Sequence, residues 1–431
     1  MSIKTLAAII LGKLILKTTQ VLNFGGGSAA PGYYALKIDP DLVKKLIPQI
    51  PQTIVITGTN GKTTTARMLA HFAQNSGLKV LRNATGSNLE RGIASTLIFS
   101  VHLPGGRIKN YDLAIWELDE AAFNTVVPKI RPEMIVFLNV FRDQLDRYGE
   151  IDTVVSKWCQ TLEKLDPKTQ IFINGDDGNL LKLTGSFRGK IQTFGLKDYQ
   201  IQGEKIIHKA ERQKPDLEAK NITFQGLESL KFTIGSNSFT LPVPGVYHIY
   251  NFLAALSGAK FLNIPIQKIQ ESLKNYSPAF GRVEKIQLDG QTAYIFLIKN
   301  PAGATLVFQT LKDEIKPEDH LLLALNDNFA DGKDVSWIWD SQFEQLQVSC
   351  SKLKVICSGV RAADLALRLK YAGFDPRYLI IQTDLQKALR QAREGLKGRL
   401  FILPTYTALL KLQAILASMG VKGHYWKEDQ I

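Results

Sequence analysis

TIVITGTNGKTTTARMLA, residues 53–70, is the stretch from which the fold can be read. A short apolar run breaks into glycine, threonine and asparagine and then takes up a helical pattern. A strand, a glycine turn and a helix N-terminus together make an anion site. Unpaired N–H groups point out of the first helical turn, and the helix dipole adds about half a positive charge there. Gly58 and Gly61 let the backbone approach phosphate oxygens, with Thr59, Asn60 and Thr64 completing the loop. Lys62 is spaced to reach the β- and γ-phosphates, and the Thr63 hydroxyl to hold Mg²⁺. The usual pattern has a glycine where Ile56 stands, so this loop is a shorter variant. A bare GxxGKT also reads as an ordinary Thr/Asn helix cap; the strand before it and the helix after it favour a nucleotide.

Outward from the loop, short apolar runs alternate with helical segments: KVLRN (79–83), DLAIWEL (112–118), MIVFLNV (134–140) and TQIFING (169–175). That rhythm predicts a mostly parallel sheet covered on both faces. Residues 186–240 break it and read as hairpins in a β-rich insert. GVYHIYNFLAALSGAKFL (245–262) reads as a helix. A second α/β series follows, with runs at 292–299, 320–326, 353–359, 378–383 and 399–406. The expected organisation is an N-terminal helical segment (1–45), a central domain (46–285) and a Rossmann-like C-terminal domain (286–431).

The 431 residues are 45% hydrophobic and 22% charged, with a net charge of +13. That balance suits a globular protein with an anionic partner. No Lys/Arg block or aromatic-basic motif accompanies the charge, which argues against nucleic acid. Cys159, Cys350 and Cys357 are too few and too scattered for a disulfide framework, and a reducing cytoplasm fits. The apolar N-terminus carries Lys4, Lys13 and Lys17, which argue against a spanning helix. It reads either as a helix packed on the body or as an interfacial helix with snorkelling lysines.

The run GTNGKT followed by TT resembles the nucleotide loop of the Mur ligase family, ATP-dependent enzymes of peptidoglycan assembly and folate polyglutamylation. Other pieces agree in order. WELDE (116–120) places Glu117 where that family holds a second Mg²⁺, with Asp119 and Glu120 beside it. NGDD (174–177) resembles the family's Asn-Ala-Asp-Asp stretch. Asn251 matches the asparagine that reads adenine, and Arg282, in FGRVE, the arginine that meets the terminal phosphates. His248 stands one helical turn before Asn251, where the family has an asparagine.

The branch is decided by NVFRDQLDRYGE (139–150). Gln144 replaces a histidine usual in amino-acid-adding Mur ligases, and the stretch resembles the MurT family, ligase-like subunits of lipid II isoglutaminyl synthase. KNPAG (299–303), LNDNFADGKDVSWIWD (325–340), GVRAADLALRLKYAG (359–373) and PTYTALL (404–410) resemble that family's C-terminal domain. The resemblance implies amidation of the D-glutamate α-carboxylate of lipid II through an acyl phosphate, with ATP and Mg²⁺. Lys62, Glu117 and Arg282 would then be catalytic. It also implies a heterodimer with a GatD-type glutamine amidotransferase. In that arrangement Asp334, first aspartate of the DxSW motif, completes the partner's Cys–His pair, and Trp337, Trp339 and Asp340 are interface candidates. Many members carry a four-cysteine zinc ribbon, but residues 180–245 contain no cysteine, so zinc is not expected. Lys299, Asn300, Tyr406 and Thr407 are candidate acceptor contacts at strand ends. The resemblance places the chain in the cytoplasm at the inner membrane face. Two readings compete with it: an amino-acid-adding or folylpolyglutamate-synthase-like ligase, and a non-catalytic scaffold for the amidotransferase.

Overall fold

The computed structural model describes residues 2–21, 29–83, 87–103, 105–141, 151–202, 205–208, 214–278, 282–347 and 353–421. Two sheets organise the chain. The larger has nine strands: β1 (Gln52–Thr57), β2 (Val80–Arg82), β3 (Leu113–Leu118), β4 (Met134–Phe137), β5 (Gln170–Asn174), β6 (Ile191–Leu196), β7 (Leu217–Gln225), β8 (Ser229–Ile234) and β9 (Asn237–Leu241). Their spatial order is β9-β8-β7-β6-β5-β4-β1-β3-β2. All neighbours from β2 to β7 are parallel, and β8 and β9 return antiparallel. Parallel strands are covered on both faces, which is why they read as unbroken apolar runs. In β3, LAIWEL, every residue is buried, Glu117 included.

The helices of this body are α1 (Ile3–Val21), α2 (Ala30–Ile38), α3 (Lys62–Asn75), α4 (Glu90–Ser100), α5 (Glu120–Ile130) and α6 (Tyr247–Phe261). Helix α6 is buried from His248 to Ala259, as an all-round apolar helix must be. It packs on α3 and under the β-rich segment expected at 186–240. The strands of that segment do not fold on a separate core; they extend the main sheet. Alternation in SLKFTI sends Leu230, Phe232 and Ile234 to one buried face. There Phe252 of α6 meets Phe239 and Phe232 with ring centroids 5.0 and 5.2 Å apart. At the other end, α1 and α2 pack on α4. A Cβ on Gly32 would lie 1.9 Å from Arg91 O, and one on Gly12 2.8 Å from Ile98 Cδ1, so both contacts need glycine.

The second sheet contains β10 (Arg282–Leu288), β11 (Gln291–Phe296), β12 (His320–Ala324), β13 (Lys354–Ser358), β14 (Leu379–Ile381) and β15 (Leu400–Pro404), in the order β10-β11-β15-β12-β13-β14. It is parallel apart from the β10–β11 hairpin. Four of its helices matter below: α7 (Pro301–Leu311), α8 (Trp337–Asp340), α9 (Ala362–Tyr371) and α10 (Tyr406–Ser418). In the larger sheet the strand order reverses at β1, with β3 on one side and β4 on the other. Crevices at such reversals, beyond the carboxyl ends of the strands, are where ligands bind in α/β sheets.

Candidate active site

Four residues, 58–61, carry the chain from β1 into α3. Gly58 has φ 135° and Gly61, the residue capping α3, φ 90°. A Cβ at Gly61 would stand 2.1 Å from Asn251 Oδ1, so α6 presses its asparagine directly onto the loop. The segment after β4 forms the loop's outer wall. Thr59 N–H donates to Asn139 O (3.0 Å), Asn60 N–H to Asn139 Oδ1 (2.8 Å), and Phe141 N–H to Thr59 Oγ1 (3.0 Å). Asp177 ties this wall down by accepting from Val140 N–H at 2.8 Å. Burial pushes the Asp177 carboxyl up to about 6, against the pull of its backbone donors. The first i→i−4 bond of α3 is Thr65 N–H to Gly61 O (2.9 Å), so the amides ahead of it have no intrahelical acceptor.

Charge collects beside this turn. The buried Lys62 ammonium donates to Gly58 O (2.6 Å) and stands 3.3 Å from Asp119 Oδ1 and 3.5 Å from Glu120 Oε2. Burial is the largest influence on Glu120 and would raise its pKa. The charges of Lys62 and Lys299, together with hydrogen bonds from its own backbone N–H and from Thr59, hold it below the usual value instead. Thr63 Oγ1 donates to Glu117 Oε2 at 2.8 Å. Glu117 is itself gripped through its backbone, exchanging hydrogen bonds with the Asn83 side chain.

These residues fit a magnesium-bound triphosphate. The left-handed glycines leave room for close approach, and the Thr64 hydroxyl is buried with no partner among the described residues. Thr63 and Glu117 supply a neutral and an anionic oxygen, a donor pair suited to Mg²⁺, which takes its remaining ligands from phosphate and water. Among the described residues, no group of three His, Cys, Asp or Glu side chains could hold a metal ion.

The second body reaches the loop through one residue. Asn300, fully buried at the start of α7, exchanges amide hydrogen bonds with Asn60 (3.1 and 3.3 Å) and accepts from Gly303 N–H (2.8 Å). Expected as an acceptor contact, Asn300 is placed here as a clasp between the two bodies. Lys299 lies beside it, half-buried, its charge acting on Glu120. Arg282 opens β10; the next residue, Val283, has φ 65°, a strained value for a β-branched side chain, at a register shift between β10 and β11. Asn251 Nδ2 lies 3.5 Å from His248 Nδ1, and both side chains are buried on α6.

Beyond the carboxyl ends of β12 and β15 sits a polar cluster. Thr407 does not end a strand; it lies in the first turn of α10, donates through its N–H and hydroxyl to Asp331, and accepts from Asn326 and Asn328 at 2.9 and 2.8 Å. Tyr406 is beside it, 42% exposed. Asp334 is exposed, and its Oδ1 accepts from Ser336 N–H (2.8 Å), forming the turn before α8. Arg368 on α9 supports α8 from below. Its buried guanidinium donates to Ile338 O, Ser341 O and Glu344 and lies 5.6 Å from the Trp339 ring. Trp337 is half-buried, whereas Trp339 and Asp340 are exposed. Burial pushes the Cys357 thiol up to about 12, an inert group in β13. Gln144 and Cys350 lie outside the described residues.

Sequence patterns do not single out Asn139, Asn83, Asp331 or Arg368. Each acts on a distant segment, and only the assembled sheets bring the partners together. A lone polar residue directly after an apolar run, as in FLN at 137–139, is the one signal they leave.

Comparison with known proteins places these features in context. Residues 56–259 match the Mur ligase middle domain family, and residues 297–409 the family described as MurT ligase C-terminal. The chain is 30% identical to the lipid II isoglutaminyl synthase (glutamine-hydrolyzing) subunit MurT of Streptococcus pneumoniae, over 98% of this chain and 99% of that protein. It is also 30% identical to the Staphylococcus aureus subunit of the same name, over 93% and 95%. Among solved structures, MurF from Acinetobacter baumannii superposes with a TM-score of 0.68 at 18% identity, over 90% of this chain and 80% of that one. MurF from Thermotoga maritima in complex with ADP gives 0.67 at 15% identity, over 89% and 83%. These likenesses to solved structures speak for the fold alone.

Proposed function

The chain belongs to the MurT family of Mur ligases and is an ATP-dependent ligase of peptidoglycan assembly, and on that premise we propose that it amidates the D-glutamate α-carboxylate of the lipid II stem peptide. The observation that carries the reading is the meeting of Lys62, the Thr63–Glu117 pair and the left-handed Gly61 at the carboxyl end of β1. A carboxylate is a poor electrophile. One of its oxygens attacks the γ-phosphorus, the bond to the β,γ-bridging oxygen breaks, and ADP leaves with that electron pair. Ammonia then adds to the acyl carbon, loses a proton, and expels inorganic phosphate, leaving the amide.

Such a transfer asks the protein for position and charge rather than covalent help. The α3 amides and Lys62 hold the terminal phosphates, and Thr63 and Glu117 hold Mg²⁺, which neutralises charge between them. Arg282 adds a cation from the junction, and Asn251 orients the base. Asn60 and Asn300 bring the second body, with Lys299, Tyr406 and Thr407, over the acceptor. The chain works as a heterodimer with a GatD-type amidotransferase, in the cytoplasm at the inner membrane face. Asp334 reaches that partner's Cys–His pair and stabilises the charged imidazole. Residues 46–285 serve as the nucleotide unit and 286–431 as the acceptor and partner unit.

The test is to co-express the chain with the amidotransferase and supply lipid II, ATP, Mg²⁺ and either glutamine or ammonium. Mass spectrometry of the stem peptide then reads one hydroxyl-to-amine exchange. Asp334→Asn should abolish the glutamine-fed product and spare part of the ammonium-fed one. Equal loss with both nitrogen sources contradicts the assignment of Asp334.

A further inference from the structure

Helix α1 has an inner face that is easily explained: Thr5, Ala8, Ile9 and Gly12 are buried against α2 and α4. Its outer face is unusual. Ile3, Ala7, Ile10 and Leu14 are exposed, spaced by four, three and four residues, and so form one stripe along the side turned away from the protein. Ile3 is 88% exposed and Leu14 57%. A surface helix normally turns polar residues outward. The neighbouring helices continue the theme, with Phe99 near the end of α4 and Tyr33 and Tyr34 on α2 all about half exposed.

The rim is cationic. The first 38 residues contain Lys4, Lys13, Lys17 and Lys37 and no Asp or Glu. Lys37 Nζ lies 4.7 Å from the Tyr33 ring centroid, and Lys109 Nζ 5.6 Å from that of Phe99. Lys13 is close enough to Lys109 to feel its charge; burial first, and then that repulsion, lower the Lys13 pKa. An anion placed against the pair would relieve the repulsion. No helix among the described residues is long and apolar enough to cross a membrane. Helix α4 links this face to the site. Just ahead of its start, Asn88 O accepts from Asp119 N–H in the acidic corner, and Phe99 lies roughly 16 Å along its axis at the rise of an α-helix.

We propose that the outer stripe of α1, rimmed by Lys13, Lys17 and Lys109, lies in the headgroup layer of an anionic lipid bilayer. The apolar stripe enters the acyl boundary, and the lysines reach the lipid phosphates with their stems along the apolar surface. Charge selects the occupant. A face with cations and no acids fits a phospholipid surface and repels a second copy of itself.

Co-sedimentation of the full chain with vesicles tests this independently of the reaction above, because the vesicles contain no lipid-linked acceptor. One set is equal parts phosphatidylglycerol and phosphatidylcholine, the other phosphatidylcholine alone. The chain should bind the anionic set, and at least about tenfold more weakly in high salt or on neutral vesicles. Leu14→Glu should lower the partition about tenfold or more, since it puts a charge into the apolar layer. Leu181→Glu, an exposed leucine elsewhere, should bind like the parent. Absence of binding, equal binding by Leu14→Glu, or salt-insensitive binding overturns the proposal. So does self-association, or loss of the amidotransferase partner, that depends on Leu14, either of which would mean that a protein covers the stripe.

Discussion

The carboxyl ends of the two sheets are built from different materials. At β1 and β4 the site is made of backbone: left-handed glycines, a helix N-terminus, and one buried lysine between two carboxylates. At β12 and β15 it is made of side chains: Thr407, Asp331, Asn326 and Asn328 in a closed hydrogen-bond group. Backbone amides and dipoles bind any polyphosphate in much the same way, so that end is fixed by a short local motif. Side-chain clusters read the shape of an acceptor and are assembled from segments about 80 residues apart in sequence, as with Asn326 and Thr407.

The contrast can be broken by substitution, and Lys62→Ala should have the largest effect. It removes the cation from the backbone-built end and leaves Asp119 and Glu120 facing one another. A loss of about 3 kcal/mol in transition-state stabilisation, more than a hundredfold in turnover, is expected from similar contacts. Phosphate release assays would measure it, and a change below tenfold would mean that the backbone alone carries the phosphate.

Gly61→Ala comes next. The left-handed φ costs an alanine on the order of 1–2 kcal/mol, and its Cβ would collide with Asn251 Oδ1. Nucleotide affinity should fall at least about tenfold, a loss of some 1.4 kcal/mol. Asn251→Ala added to it should recover only the part due to the collision, as calorimetry on the pair would show.

A pH dependence follows from Asp177. Its carboxyl is raised from 3.8 to about 6 in the folded chain. Between these values the folded form binds the proton more tightly than the unfolded one, so stability drains away as pH rises from about 4 to about 6 and is level above. Urea titrations across that range should show Asp177→Asn lacking this slope, worth roughly 1–2 kcal/mol once the opposing backbone hydrogen bonds are allowed for. A parallel pair of pH profiles would remove the wall's acid from the account.

The smallest effect tests the bridge between the two ends. Asn60→Ala and Asn300→Ala each break the same amide pair, so their effects should not add. A coupling of about 1 kcal/mol is expected in a double-mutant cycle on the amidation rate. Strict additivity would mean that the clasp does not couple loop and acceptor.

Legibility in the sequence follows the same division. Strand β1, the loop and α3 could be read because their chemistry is contiguous, and β3 with Glu117 because a carboxylate inside an apolar run is conspicuous. Helix α6 was plain from its all-round apolar composition. The fate of 186–240 was not, since alternation in SLKFTI says that one face is buried but not against what; Phe252 decides it from α6. Asn300 followed a strand and read as an acceptor contact, whereas its partner Asn60 lies 240 residues away. Local spacing carries no record of such pairs.

The claim on which the rest depends is that Gly61, Lys62, Thr63 and Glu117 gather a magnesium-bound triphosphate at the end of β1. Crystals of the full chain grown with a non-hydrolysable ATP analogue and Mn²⁺ in place of Mg²⁺ would test it directly. The expected result is phosphate density on the first turn of α3 beside Lys62, with an anomalous peak within bonding distance of Thr63 Oγ1, Glu117 or both. Nucleotide bound elsewhere, or a metal peak away from both residues, would contradict the account.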